Sequence, residues 1–247
     1  LLAEQFGTRD LSGFGIEGLP AVIAAAGGLL QYAQETQRGA LPHLASIALE
    51  QADAHLHLDA ATRRHLEILD HPRGEDQHTL VAVMDSTITP MGGRLLRRWL
   101  GNPIRDRERL ADRHRSIRAL LEAGCWSELR ETLRGAGDME RILARVALGS
   151  CRPRDLATLR DTLGLIPELR RALEPHPLEE LRALRDTIEP FPEVQDLLKR
   201  ALVEEPPVLV RNGGVIARGH DEELDRLRAL SENASDFLLE YESREKE

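Results

Sequence analysis

The 247-residue chain is long enough to bury a substantial core, and with 41% apolar but only 3% aromatic residues that core must be built from Leu, Ala, Ile and Val. Leu and Ala also favour helix, so the composition predicts a mainly helical fold. The formal net charge of -9 makes the chain a poor generic polyanion binder, because affinity for nucleic acid depends on neutralising phosphates. Two cysteines exclude a disulfide framework, and no apolar run reaches membrane length, which predicts a cytoplasmic protein without a membrane span.

The first 45 residues are predicted to form a unit of their own. The glycine-rich run 13–18 matches the dinucleotide-binding fingerprint, but residues 7–10 cannot form the buried strand that must precede it. We therefore interpret the run as a turn that leads into a helix over 21–37, which begins beside Pro20 and ends near Gly39.

One N-terminal strand is predicted over 46–58, where apolar residues alternate with His55 and His57. Two histidines on the same face of a strand can bind a metal ion. No cysteine or ordered set of carboxylates completes such a site, so histidines that face solvent are the favoured interpretation and no metal site is predicted.

The rest of the chain is predicted to be a helical bundle with short polar loops. Caps are expected at Asp59, Thr89, Asp106 and Asp138, each placed before an apolar-periodic run. The predicted helices cover 60–69, 93–100, 106–122, 139–148, 154–163, 167–173, 178–187, 194–203 and a final stretch from 221 to the chain end.

A short β-hairpin is expected to interrupt the helices. The apolar runs 208–210 and 215–217 flank Asn212 and Gly213, and an Asn-Gly pair between apolar runs is a strong hairpin indicator. The terminal helix has no stop residue before Glu247, which suggests that the chain is an internal piece of a longer protein.

One segment is locally basic. Between residues 94 and 118, nine arginines accompany only three acidic residues. This segment could face DNA, or its arginines could pair with acidic helices elsewhere in the fold. Helix 93–100 is also expected to bury Trp99, Leu95 and Leu96. The arginines that we consider for a DNA-facing surface are Arg94, Arg97, Arg98, Arg105 and Arg107.

Motifs of catalysis are missing from the sequence. The chain has no phosphate-binding loop of the Gly-x-x-x-x-Gly-Lys type, no Gly-x-Ser-x-Gly elbow and no His-Glu-x-x-His helix. We therefore predict that this chain is not an enzyme by itself and contains no catalytic, cofactor-binding or metal-binding residues.

Several longer runs carry a family resemblance, in order along the chain. Residues 6–15 resemble the end of the connector domain of bacterial MutS mismatch-repair proteins, and 58–67 resemble the start of their core domain. The resemblance continues through 80–103, 138–145, 152–156, 206–207, 213–216 and 222–225. It implies that 1–45 is the C-terminal part of a connector domain, and that 46–247 is a core, or lever, domain whose last helix leads toward a clamp domain.

The resemblance also implies a function for the parent protein. Such proteins are homodimers that recognise mispaired or unpaired bases in double-stranded DNA, bind and hydrolyse ATP with Mg²⁺, and recruit a MutL-type partner. The ATPase site would lie outside these residues, and the chain would link the mismatch-binding, clamp and ATPase parts. A cytoplasmic, nucleoid-associated location is implied, and whether this chain alone is a monomer stays open.

The alternative hypothesis is a freestanding helical module. Such a module would bind DNA non-specifically through residues 94–118, with a steep dependence on salt.

Overall fold

The structure is a computed structural model that describes residues 1–37, 41–49, 54–174 and 178–232. It confirms the mainly helical fold. In chain order the α-helices are α1 Leu2–Gln5, α2 Pro20–Gln37, α3 Ala60–His65, α4 Leu80–Met84, α5 Pro90–Gly101, α6 Arg107–Ala123, α7 Trp126–Leu133, α8 Met139–Ala147, α9 Pro153–Leu173, α10 Glu179–Thr187, α11 Pro192–Ala201 and α12 Glu222–Glu232.

The four predicted helix caps are confirmed. The side chain of Asp59 accepts a hydrogen bond from the backbone N–H of Thr62, and Thr89 accepts one from Gly92. Asp106 accepts from two backbone N–H groups at the start of α6, and Asp138 accepts from one at the start of α8. These bonds satisfy donors that the first turn of a helix leaves without a partner, which fixes where each helix begins.

The described residues divide into two compact units. The first contains Leu1–Cys151 and Leu165–Glu189. One of its cores joins α1 to α2 through Leu2, Leu30 and Leu41. A second core joins α6, α7, α9 and α10, and its buried members are Ala119, Cys125, Leu173 and Leu181.

The second unit contains Arg152–Gly164 and the described residues from Pro190 onward. Its buried apolar residues include Leu159 and Leu163 on the first part of α9 and Leu198 on α11. Arg160 is only 9% exposed, and its guanidinium donates to the carbonyl oxygens of Val203 and Glu204 at 3.1 and 3.0 Å. A buried guanidinium needs such acceptors, so Arg160 ties α9 to the chain that follows α11.

The predicted strand over 46–58 is wrong for the residues that the structure describes; residues 50–53 lie outside them. His55 forms an isolated antiparallel bridge with Ile104, supported by backbone hydrogen bonds on either side. The pairing cannot extend because its partner segment is short. It begins at Pro103, which has no N–H, and it stops where Asp106 starts a helix.

The predicted hairpin is also wrong in its pairing. Residues 215–217 pair with the segment after α11, through a bridge between Leu202 and Ile216 and bonds of 2.9 and 3.1 Å beside it. Val210–Asn212 forms a 3-10 turn instead of a strand end. Leu202 is buried at 5% exposure, so a distant apolar partner overrides the local Asn-Gly preference.

Helix α9 corrects a third prediction, because 154–163 and 167–173 form one helix that passes through Pro167. The proline removes one backbone hydrogen bond. Leu163 and Ile166 are buried on the same helix at 6% and 8% exposure, so tertiary packing maintains the helix across the gap.

The predicted bounds of three other helices have different outcomes. Helix α3 ends at His65, short of the predicted 69, and Glu67 then takes a positive φ of 47° as the chain turns. The predicted stop at Gly39 lies outside the described residues. Helix α12 begins at Glu222 as expected, and the predicted continuation over 233–247 lies outside them too.

Candidate functional site

The basic segment occupies α5, the connection after it, and α6. Arg94 lies on α5 and binds two carboxylates near the start of α8. Its guanidinium donates to both oxygens of Asp138 at 2.7 and 2.8 Å and to Glu140 at 2.5 and 3.1 Å. These bonds raise the pKa of Arg94 and hold the pKa of the Asp138 carboxyl below its usual range. Arg94 therefore joins α5 to α8.

The other proposed DNA-facing residues have different surroundings. The side chains of Arg97, Arg105 and Arg107 are exposed, and the backbone N–H of Arg105 donates to the Ala54 carbonyl oxygen. Arg98 lines a groove between α5 and α6. Whether any of them contacts DNA stays a prediction.

The groove lies between α5, α6 and the segment that bridges to Ile104, and it has a volume of about 660 Å³. Trp99 lines it, is 37% exposed and has the guanidinium carbon of Arg113 at 3.9 Å from its ring centroid. We call it the Trp99 groove. It is lined by Ala48, Leu49, Ala54, His55, Leu95, Arg98, Trp99, Asn102, Ile104, Arg109 and Arg113.

The Trp99 groove overturns the prediction that α5 buries its apolar face. Leu95 is 47% exposed, Trp99 is 37% exposed, and Leu96 is only partly buried. The sequence shows Arg109 and Arg113 one helical turn apart, so both project from one face of α6. The spacing of these two arginines is the sequence feature that could have indicated a site. Nothing in the sequence, however, places this face of α6 opposite Trp99.

The glycine-rich run 13–18 folds as we interpreted it. Ser12–Phe14 is a 3-10 turn, and Gly15 then adopts a left-handed φ of 69° before α2 begins at Pro20. The side chain of Asp10 accepts hydrogen bonds from the backbone and hydroxyl of Ser12, and these bonds lower its pKa. The run is therefore a turn that leads into a helix.

Two family models match the chain. The model for MutS domain II matches residues 1–45, and the model for MutS domain III matches residues 61–246.

The chain belongs to the MutS family.

Domains II and III of MutS are non-catalytic parts of a DNA mismatch-repair protein. Helices α1 and α2 fall in the part matched by domain II, and α5, α6 and most of the Trp99 groove fall in the part matched by domain III. Family membership implies binding of mismatched DNA by MutS proteins.

Among the described histidines, His71 and His78 lie near each other, and each is paired with one glutamate, Glu67 and Glu75 respectively. His55 takes part in the bridge to Ile104, while His71 accepts backbone N–H bonds from Arg73 and Glu75 through Nδ1. Across residues 1–37, 41–49, 54–174 and 178–232, no three His, Cys, Asp or Glu side chains are grouped so that they could hold a metal ion. In the same ranges, no helix is long and apolar enough to cross a membrane.

Proposed function

We propose that this chain transmits conformational change between the mismatch-binding, clamp and ATPase parts of a MutS protein. In this proposal the ATPase site, with its ATP and Mg²⁺, lies outside these residues. The parent protein acts as a homodimer on mismatched double-stranded DNA, recruits a MutL-type partner and works in the cytoplasm at the nucleoid. Residues 1–45 are the connector part, and 46–247 are the core, or lever, part.

The observation that carries the proposal is helix α9. It is one helix that passes through Pro167, and its residues up to Gly164 belong to one compact unit while those from Leu165 belong to the other. Its 21 residues correspond to a length of about 30 Å. Buried residues lie before and after Pro167 on this helix, and a helix held by packing on both sides can carry a displacement from one end to the other.

Two further contacts support a stiff element within the first unit. Arg94 holds α5 to α8 through bonds to two carboxylates. Arg170, in the second part of α9, donates to the carbonyl oxygens of Arg185 and Ile188 at the end of α10. Charge-assisted bonds between helices limit sliding of one helix along another.

The test softens α9 without changing its core. Glu168 and Arg171 are exposed on the helix, so both can be replaced by glycine in the full-length parent protein. Each glycine weakens the helix by about 1 kcal/mol relative to alanine. The double alanine variant is the matched control, because it removes the same side chains and keeps the helix strong.

We expect the glycine variant to keep its affinity for mismatched DNA and its basal ATPase rate. Stimulation of ATP hydrolysis by the mismatch should fall about two- to thirtyfold, the range for residues that carry coupling between sites. The alanine variant should keep its stimulation. If stimulation is unchanged in the glycine variant while hydrogen exchange shows a softened α9, the chain does not transmit through this helix.

A second candidate function is non-specific DNA binding through residues 94–118. The exposed side chains of Arg97, Arg105 and Arg107 favour it. It predicts that this chain alone binds duplex DNA. Exchanging Arg105 and Arg107 for Gln should then lower the slope of log binding constant against log salt concentration by about one for each phosphate that is no longer neutralised. Absence of duplex binding at low salt would exclude it.

A further inference from the structure

We propose that the Trp99 groove is a docking site for a peptide segment of a partner protein, in which acidic side chains flank an aliphatic one. This inference goes beyond the transmission function and does not depend on it. It rests on the charge of the groove, on its apolar lining and on the stacking of Arg113 over Trp99.

The charge of the groove is opposite to that of the chain. Within the described residues its lining contains Arg109 and Arg113 and no carboxylate, whereas the whole chain has a net charge of -9. Arg105 and Asp106 line a hollow beside the groove, but Asp106 accepts backbone bonds at the start of α6. A concave surface of one sign attracts a ligand of the other sign.

The aliphatic residues of the groove indicate a second part of the ligand. Leu49 and Leu95 are 40% and 47% exposed there, and Ile104 and Ala54 also line the groove. Apolar side chains that stay exposed in a groove with a charged rim are typical of a site that takes an apolar anchor. A volume of about 660 Å³ accommodates a few side chains of a peptide.

The stacking of Arg113 favours a carboxylate over a nucleic-acid base. The guanidinium lies 3.9 Å from the Trp99 ring centroid and covers that ring face, so a base cannot stack there. A stacked guanidinium keeps its in-plane N–H donors, which match the two oxygens of a carboxylate. Arg109, one turn earlier on α6, extends the same row of donors.

The experiment measures binding of defined peptides to this chain by anisotropy of a labelled probe. The probe has the sequence Glu-Glu-Leu-Asp-Glu-Leu. Its first control replaces every acid by the matching amide, and its second replaces both leucines by serine. A labelled oligothymidylate represents single-stranded nucleic acid. In a Trp126→Phe background, Trp99 is the remaining tryptophan, so its fluorescence shows whether the ligand binds in the groove.

The protein variants come from one helix. Arg109→Gln tests the charge and keeps the contact between Arg113 and Trp99, and the double variant with Arg113→Gln removes both arginines. The matched control exchanges Arg107 and Arg118 for Gln, because both are exposed on α6 and do not line the groove. Circular dichroism establishes that each variant keeps its helix content.

We expect the acidic-aliphatic probe to bind and to change Trp99 fluorescence. Arg109→Gln should weaken it about tenfold, which corresponds to losing one charge-assisted bond, and the double variant should weaken it further. Both control peptides should bind at least about tenfold more weakly, and the control pair of variants should bind within about twofold of the parent chain.

Four results would overturn the proposal. The probe shows no anisotropy change, the amide peptide binds as tightly as the acidic one, or the Arg107 and Arg118 pair weakens binding as much as Arg109→Gln. The fourth is tighter binding of the oligothymidylate, which would make the groove a nucleic-acid surface. None of these measurements involves ATP hydrolysis, so the groove and the transmission function can fail independently.

Discussion

Leu181 provides the most direct test of the packing that positions α6, and with it one wall of the Trp99 groove. Its side chain is 0% exposed on α10 and packs with Ala119, Cys125 and Leu173. Replacing Leu181 by Ala removes buried methyl and methylene groups, whose transfer to water costs about 2 kcal/mol. The cavity left behind adds about 1–2 kcal/mol when the surroundings cannot collapse, so we expect a total loss of about 3–4 kcal/mol.

Leu184 is the matched control. It lies on the same helix and undergoes the same chemical change, but it is 38% exposed. Leu184→Ala should therefore cost about 1 kcal/mol. Because both variants gain the same helix propensity, the difference between them isolates burial.

Urea unfolding monitored at Trp126 gives a local readout, because Trp126 directly follows Cys125 of the same core. A Trp99→Phe background makes Trp126 the sole tryptophan. In a thermal melt, the Leu181 variant should lose about 6–16 °C at about 2–4 °C per kcal/mol. Equal losses in the two variants would refute the packing of α10 against α6.

Three further predictions address contacts at a distance from this core. Arg94→Gln should lower the melting temperature at neutral pH, because Arg94 depresses the pKa of Asp138. The difference in melting temperature between the parent chain and the variant should be fully present above about pH 5. It should vanish as the pH falls through the lowered pKa of Asp138. A pH-independent difference between the two melts would contradict it. Pro167→Ala restores a helix donor at an exposed position of α9 and should stabilise the second part of that helix, seen as slower hydrogen exchange there; unchanged exchange would contradict it. Gly213 has φ 71° and ψ -178°, a region that only glycine populates, so Gly213→Ala should cost about 1–3 kcal/mol in urea unfolding; a loss below about 0.5 kcal/mol would show that the turn relaxes.

Local chemistry made the helices that begin at a side-chain cap predictable. A carboxylate or hydroxyl that caps the first turn acts within three residues, so Asp59, Thr89, Asp106 and Asp138 could be assigned from their immediate neighbours. The runs of Leu and Ala that follow have helical periodicity, and their helix type did not depend on the rest of the fold.

The β elements could not be predicted, because pairing depends on residues that are distant in sequence. The segment 215–217 pairs with the residues after α11 although an Asn-Gly turn precedes it. His55 finds only the short segment around Ile104 as a partner. In both places a tertiary contact decided between conformations that the local sequence allows equally.

The exposure of Trp99 was missed for a related reason. A large aromatic residue in an apolar-periodic helix is normally buried, and the sequence gives no indication that Arg113 of the next helix covers its ring. The resulting groove combines residues from three segments. The count of arginines and acidic residues over 94–118 considered one segment alone.

The arginines of the basic segment show why counting charges along the sequence cannot identify a DNA surface. Arg94 binds Asp138, which lies 44 residues away in sequence, while the side chains of Arg105 and Arg107 remain exposed. A loss of DNA binding after Arg94→Gln would therefore be ambiguous, because the same change separates α5 from α8. Arg105→Gln with Arg107→Gln removes two positive charges from exposed positions and leaves the bonds of Arg94 in place. If only the Arg94 variant loses affinity, the effect comes from helix packing; if only the Arg105 and Arg107 pair does, this surface contacts phosphate.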